Sequence, residues 1–195
     1  NEMGVVAQGL SVSAQTLSRK YHLVITNVPY LARGKQDEKL RDFLAQNYKA
    51  EKNDLATAFL SRCLEFCQKG GVVNNVLPQN WLFLTTYKAL REKLLGGHTW
   101  SLMARLGPKG FSTPMWDFNV QLLSISHSQS TRDELGSIKQ KEWEHLINGL
   151  DVSDYRSPKE KADGLLNGEV KQVLQLKQLE NPDARISLED LGETN

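Results

Sequence analysis

The sequence predicts an α/β fold: the second half of an open, largely parallel sheet that finishes in a hairpin. Three observations carry that expectation. Short β-branched runs alternate with segments of helical period, and glycine pairs or proline stand where one gives way to the other. The last two strand-like runs, residues 100–106 and 119–126, follow each other with only a loop between them, as a closing hairpin requires.

Each element has a local reason. Residues 5–19 suit a short helix. Residues 21–26 form a compact apolar run that ends in a polar turn, the signature of a buried parallel strand. A loop over residues 27–36, containing Pro29 and Gly34, leads to residues 37–45, where Leu40, Phe43 and Leu44 recur at helical spacing. Asp54 is placed to cap a longer helix that runs to about Gln68 and should be stopped by Gly70-Gly71.

Leu55, Phe59, Cys63 and Cys67 make one stripe of that helix, so the two cysteines read as reduced thiols packing as small hydrophobes rather than as a metal or redox pair. Residues 72–77 form the next strand, from which Pro78 forces an exit. Leu84, Tyr87, Leu90, Arg91, Leu94 and Leu95 define a further helix, ended by Gly96-Gly97. Gly107, Pro108, Gly110 and Pro114 mark the hairpin loop. Beyond about Ser128 the composition turns polar, and residues 142–151 and 159–179 read as charged helices, a helical extension over residues 129–195.

Composition removes several function classes. Of 195 residues, 39% are hydrophobic, enough for a sizeable core, and 24 Lys+Arg against 23 Asp+Glu leave a net charge of +1. A polyanion would therefore have to be met by a local patch. No apolar stretch approaches the roughly 18 to 20 residues that span a bilayer, and no signal peptide pattern opens the chain, so a cytoplasmic protein without membrane contact is expected. His22, His98, His127 and His145 lack ligand-like spacing, and no metal is expected. Trp81, Trp100, Trp116 and Trp143 read as core or helix-packing residues.

The most informative stretch is Asn27-Val28-Pro29-Tyr30, at the carboxyl end of the first predicted strand, where open α/β sheets place their active sites. It resembles the (Asp/Asn/Ser)-Pro-Pro-(Tyr/Phe) motif of amino-group methyltransferases that use S-adenosylmethionine, in particular adenine-specific DNA methyltransferases of restriction-modification and phage-defence systems. The blocks that follow are similar to that family as well. Asn53-Asp54-Leu-Ala-Thr-Ala-Phe59 with Arg62, then Gly70-Gly71 and a strand ending Leu77-Pro78-Gln79-Asn80-Trp81-Leu82, then Tyr87-Lys-Ala-Leu-Arg91-Glu-Lys-Leu-Leu95 occur in the family's order and spacing over about residues 21–126.

The resemblance implies a Rossmann-like sheet of which residues 1–128 are the catalytic, target-adenine part, and residues 129–195 an extension or linker towards a target-recognition domain. It implies double-stranded DNA as partner and S-adenosylmethionine as cofactor. The adenine amino group is a poor nucleophile because its lone pair is delocalised into the ring. In the family it is held by two acceptors, which here are the side-chain oxygen of Asn27 and the backbone carbonyl of Val28, while Tyr30 stacks on the flipped base. Valine replaces the family's usual proline at position 28 but retains the carbonyl, and Pro29 still biases it towards an extended backbone.

A second stacking residue is expected before the last strand. Phe111 fits by position and Phe118 competes with it. Arg33 and Lys35, with Lys39 and Arg41, could meet DNA phosphates; interrupted by Asp37, Glu38 and Asp42, they equally suit a solvated face. The glycine-rich turn and acidic strand end that hold the cofactor in such folds are missing, so the chain reads as an excerpt that starts upstream of the catalytic motif. Two other readings stand beside DNA methylation: an enzyme acting on a protein glutamine or an RNA base, and a non-catalytic module that keeps the fold.

Overall fold

The run expected as a buried strand, Tyr21–Asn27 (β1), pairs in parallel with Cys67–Pro78 (β2) but is not buried: it lies at the edge of the sheet with one strand neighbour, and Leu23 and Ile25 are exposed. The computed structural model describes residues 2–112, 118–127 and 145–188. Pro114, Trp116, Trp143 and the expected boundary near residue 128 lie outside the described residues.

Between the strands run α2 (Glu38–Asn47) and α3 (Leu55–Phe66), whose first turns are satisfied by the side chains of Asp37 and Asp54. After β2 come α4 (Lys88–Gly97), β3 (Thr99–Gly107) and β4 (Val120–Ser126); α1 (Glu2–Ser18) precedes β1. β4 lies antiparallel between β2 and β3, closing the sequence as the expected hairpin.

The α/β class and its strand, helix, strand, helix, strand, strand order hold; of the charged helices expected over residues 142–151 and 159–179, the described residues keep the start of the second and replace the rest of both with strands and short turns. Residues 146–151 are a strand, β5, parallel to β3; Pro158–Asn167 is α5; and Lys171–Leu174 is a strand, β6, antiparallel to β5. The sheet order is β1-β2-β4-β3-β5-β6. Two physical reasons decide for strands. Without β5, the outer edge of β3 would present a row of unpaired backbone groups. Ile147 and Gly149 also alternate inward, a period of two, and the Asn148-Gly149 pair disfavours a helix.

Gly70-Gly71 does not stop α3, which ends at Phe66. It lies within β2, where the register jumps from Tyr21 opposite Cys67 to Leu23 opposite Val72. Gly70 is left-handed with φ 79°, and a Cβ on Gly71 would stand 2.8 Å from the Tyr21 carbonyl oxygen, so the pair shapes a bulge.

The main core fills one face of the sheet with Leu60 and Leu64 of α3, Leu90, Leu94 and Leu95 of α4, and Trp81 and Trp100. Phe59 leaves the stripe expected of it and is partly exposed, while Ala56, Leu60 and Cys63 face inward. Both cysteines are buried free thiols, and burial pushes them up from the ordinary thiol range. By strand alternation the opposite face carries a second cluster at the carboxyl end of the strands, formed by Leu106, Val120 and Val152.

Arg91 of α4 has no solvent exposure. Its guanidinium donates to the carbonyls of Trp81, Leu84 (2.9 Å), Asp183 (2.8 Å) and Ala184 (3.0 Å), which welds the segment 181–186 onto the turns after β2. Asp183 and Ala184 are left-handed non-glycine residues, and this clamp holds them there.

His98, after the end of α4, stacks near His127 with ring centroids 5.3 Å apart. Burial first, then His127 and Lys93, push it down to about 4. A histidine with a depressed folded value contributes stability above its ordinary value near 6.5, and that stability is lost as pH falls towards 4. Urea unfolding between pH 7 and 4 should show this loss in the native protein and a shallower one in His98→Gln; identical slopes would remove His98 as the cause.

Candidate active site

The carboxyl ends of β1, β2 and β3 lie along one edge of the sheet. Asn27 is the last residue of β1 and faces Val76, while Pro78 and Gly107 both face Val120. The Asn27 side chain is exposed there. The β1–β2 ladder stops at the Asn27–Val76 pair, so Val28 lies just beyond it, and β2 ends two residues after Val76 at Pro78, which has no N–H. The Val28 side chain is buried in the main core, 4% exposed. Valine in the motif is therefore a packing residue as well as a carrier of a carbonyl, a role the sequence alone did not disclose.

Tyr30 sits half-buried between the two clusters, and its hydroxyl donates to Asn27 Oδ1 at 3.1 Å. Burial, and next the charge of Asp54, push the phenol up to about 12, so near neutrality it keeps the proton it donates. That bond orients the Asn27 amide and leaves a second acceptor position on the same oxygen. The Phe118 ring stands 6.0 Å from Tyr30 at 58°, half exposed, and Phe111 packs in the same small cluster as Tyr30. The structure thus brings both candidate rings to Tyr30, with the direct ring contact made by Phe118.

The loop that carries the motif is held by the start of α3. Asp54 Oδ1 accepts from the N–H of Ala56 at 2.9 Å as a helix cap and from the N–H of Leu31 at 3.3 Å. Leu55 N–H donates to the Leu31 carbonyl at 3.0 Å, Arg33 N–H donates to the Asn53 carbonyl at 2.9 Å, and buried Gln36 donates to the Leu31 carbonyl at 3.0 Å. The capping role of Asp54 was legible from local sequence; its bond across 23 residues to the motif loop was not.

Arg33 and Lys35 form a short turn in this loop. Lys35 is exposed, whereas Arg33 is half-buried, with Nη1 enclosed and without a hydrogen-bond partner. Lys39 and Arg41 are exposed on α2. Behind the loop lies a cavity of about 260 Å³, lined among others by Asn53, Asp54, Asn80, Trp81 and Tyr87. Trp81 and Trp100 are core residues, packed ring to ring at 5.8 Å. Among the described residues, no helix is long and apolar enough to cross a membrane.

A comparison with protein families matches residues 7–111 to the family described as Eco57I restriction-modification methylase. Among curated proteins, the adenine-specific methyltransferase PglX of Lacticaseibacillus casei (strain Zhang) is 33% identical over 99 residues, and the adenine-specific methyltransferase BrxX of Escherichia coli O9:H4 (strain HS) is 32% identical over 98. Each alignment covers 50% of this chain and 8% of the relative, so the chain spans a small fraction of the relatives' length. Among solved structures, that of the DrdV–DNA complex matches with a TM-score of 0.58 at 16% identity, over 85% of this chain and 18% of that one, a likeness of fold.

Removing the Asp54 carboxylate should loosen the loop. In Asp54→Ala two N–H groups lose their acceptor, for a cost of about 1 to 2 kcal/mol, and amide exchange at Leu31, Arg33 and Leu55 should rise beyond that global change. Asp54→Asn keeps an acceptor and should fall between the two. Exchange that rises equally over the whole chain would show that Asp54 acts on α3 alone.

Proposed function

The chain belongs to the Eco57I restriction-modification methylase family, and from that premise we propose that it forms the target-base side of an adenine-specific DNA methyltransferase of a restriction-modification or phage-defence system. One observation carries the proposal: at the carboxyl end of β1 the exposed Asn27 amide oxygen is held by the Tyr30 hydroxyl, and the Tyr30 ring packs against that of Phe118. Two acceptors at one point suit an amino group with two hydrogens, and the flanking rings suit a planar base taken out of its stack. The names of the curated relatives favour adenine over a protein glutamine, and the DNA in the DrdV complex favours DNA over RNA.

In this reading Asn27 and Val28 hold the two N–H bonds of the amino group, turning its lone pair towards the methyl donor. Tyr30 keeps the Asn27 amide oriented and, with Phe118 or Phe111, sandwiches the ring. Lys35, and Arg33 if its side chain swings out, are placed to meet phosphates of duplex DNA.

S-adenosylmethionine supplies the methyl group in this family reading. The described residues do not fit a complete cradle for it: Gly34, Gly96 and Gly107 stand in a short turn, at a helix end and at the start of the hairpin loop, and no glycine-rich turn follows β1. β1 is an edge strand whose Leu23 and Ile25 are 52% and 70% exposed, which is where a doubly wound sheet would continue with cofactor-binding strands. A cytoplasmic location accords with this function.

In the full-length protein, Asn27→Ala should lower methyl transfer from labelled S-adenosylmethionine into adenine by about 100-fold or more, roughly 3 kcal/mol, with DNA retention unchanged. Full activity in Asn27→Ala would falsify the mechanism, and the absence of transfer by the unaltered protein on varied genomic DNA would favour a non-catalytic module. Val28→Ala separates backbone from side chain. It should cost stability, about 1 to 2 kcal/mol, yet keep transfer within roughly tenfold where the protein is folded.

A further inference from the structure

The β5–α5 unit continues past the hairpin, yet its residues reach the edge that carries the motif. Val152 N–H donates to the Arg105 carbonyl at 2.9 Å, Arg105 pairs with Asp151 at 2.6 Å, and Asp151 Oδ1 accepts from both the N–H (3.0 Å) and the hydroxyl (2.5 Å) of Ser153. Ser153 in turn lies against Gly107, which is left-handed with φ 65°; a Cβ there would come within 2.7 Å of the serine Cβ. The last three residues of β3 are thus pressed against the turn after β5.

Beneath that junction lies Lys161 of α5, 2% exposed. Its ammonium donates to the carbonyls of Leu106 (2.6 Å), Val152 (2.9 Å) and Ser153 (3.1 Å). Three carbonyls converging in a buried place repel one another, and only a group with three donors and no acceptor satisfies them all. Burial pushes the amine down, while Asp151, Asp154 and Glu160 oppose that shift. Leu106 and Val152, two of the residues it joins, are two of the three core members of the cluster on which Tyr30 and Phe111 pack, and Leu165, one turn along α5, packs there too.

We propose that Lys161 is a positioning residue of the target-base site: by tying the ends of β3 and β5 together under the Leu106–Val120–Val152 cluster, it sets where the rings of Phe111 and Tyr30 stand. The inference rests on the function proposed above and extends it, because it makes the segment after the hairpin part of the base-holding apparatus.

The test uses the full-length protein and two duplexes that carry a sequence it methylates: one with adenine at the target, for KM, and one with 2-aminopurine, which has no 6-amino group, in its place, for fluorescence. In Lys161→Met, similar in volume but without donors, the fluorescence change that reports base extrusion should fall and KM for the duplex should rise by about tenfold, the worth of one weakened stacking contact. Affinity for S-adenosylmethionine and total DNA retention should stay as in the unaltered protein. Leu165→Ala, which leaves the ammonium and its carbonyls in place, should move the same signal in the same direction, so the idea remains testable even if Lys161→Met folds poorly. Native fluorescence and KM in Leu165→Ala, or in a folded Lys161→Met, would overturn the proposal while methylation by the unaltered protein leaves the function standing. A protein that methylates no adenine would take both down together.

Discussion

The carboxylate of Asp54 is the interaction on which the placement of the site depends. One oxygen accepts from the first turn of α3 and from the backbone of the motif loop, so the helix start and the loop share a single anchor. Strand β1 delivers Asn27 to the sheet edge, but a strand end does not by itself determine where the next four residues go. The bonds around Leu31, Arg33 and Gln36 do that, and they return the chain to the start of α3. The same negative charge helps keep the Tyr30 phenol protonated and able to donate to Asn27. A capping interaction of about 1 kcal/mol thereby acquires a chemical consequence.

Two buried cations serve the fold in a similar way. Arg91 and Lys161 are paired with backbone carbonyls, four for the guanidinium and three for the ammonium, rather than with carboxylates. A cation buried without partners costs several kcal/mol, and hydrogen bonds to charged groups are worth about 1.5 to 3 kcal/mol each, so a full set of acceptors is what makes such burial tolerable. Each cation joins pieces of chain far apart in sequence. Arg91 joins the segment 181–186 to the turns after β2, several of whose residues line the cavity behind the motif loop; Lys161 joins the turn after β5 to the end of β3. Both sides of the candidate site are held from behind by donors that only the folded chain can bring to their acceptors.

The arrangement also separates tasks within the motif. Val28 is anchored by its buried side chain, whereas the Asn27 side chain is exposed; in the proposed reading the first supplies a backbone acceptor and the second a side-chain acceptor. An acceptor pair is rigid when one member is backbone and the other is oriented by a third group, here the Tyr30 hydroxyl.

Local order in the sequence determined much of this. Asp37 and Asp54 cap their helices because an N-cap needs only a side chain three residues or fewer from the N–H it accepts. The core strands and helices follow from periods visible in short windows, and the motif at the end of β1 follows from strand polarity together with family resemblance. Tertiary structure decided the rest. Residues 146–151 became a strand on the open edge of β3, and residues 171–174 became one on the edge of β5. Gly70-Gly71, which a local reading makes a helix stop, became a bulge because β1 needed a register shift. The ring contact of Phe118 with Tyr30, 88 residues apart, follows from no local rule. The partners of Asp54, Arg91 and Lys161 lie 23, up to 93 and up to 55 residues away, and hydrogen bonds of that range exist only once the sheet has brought its strand ends to one edge.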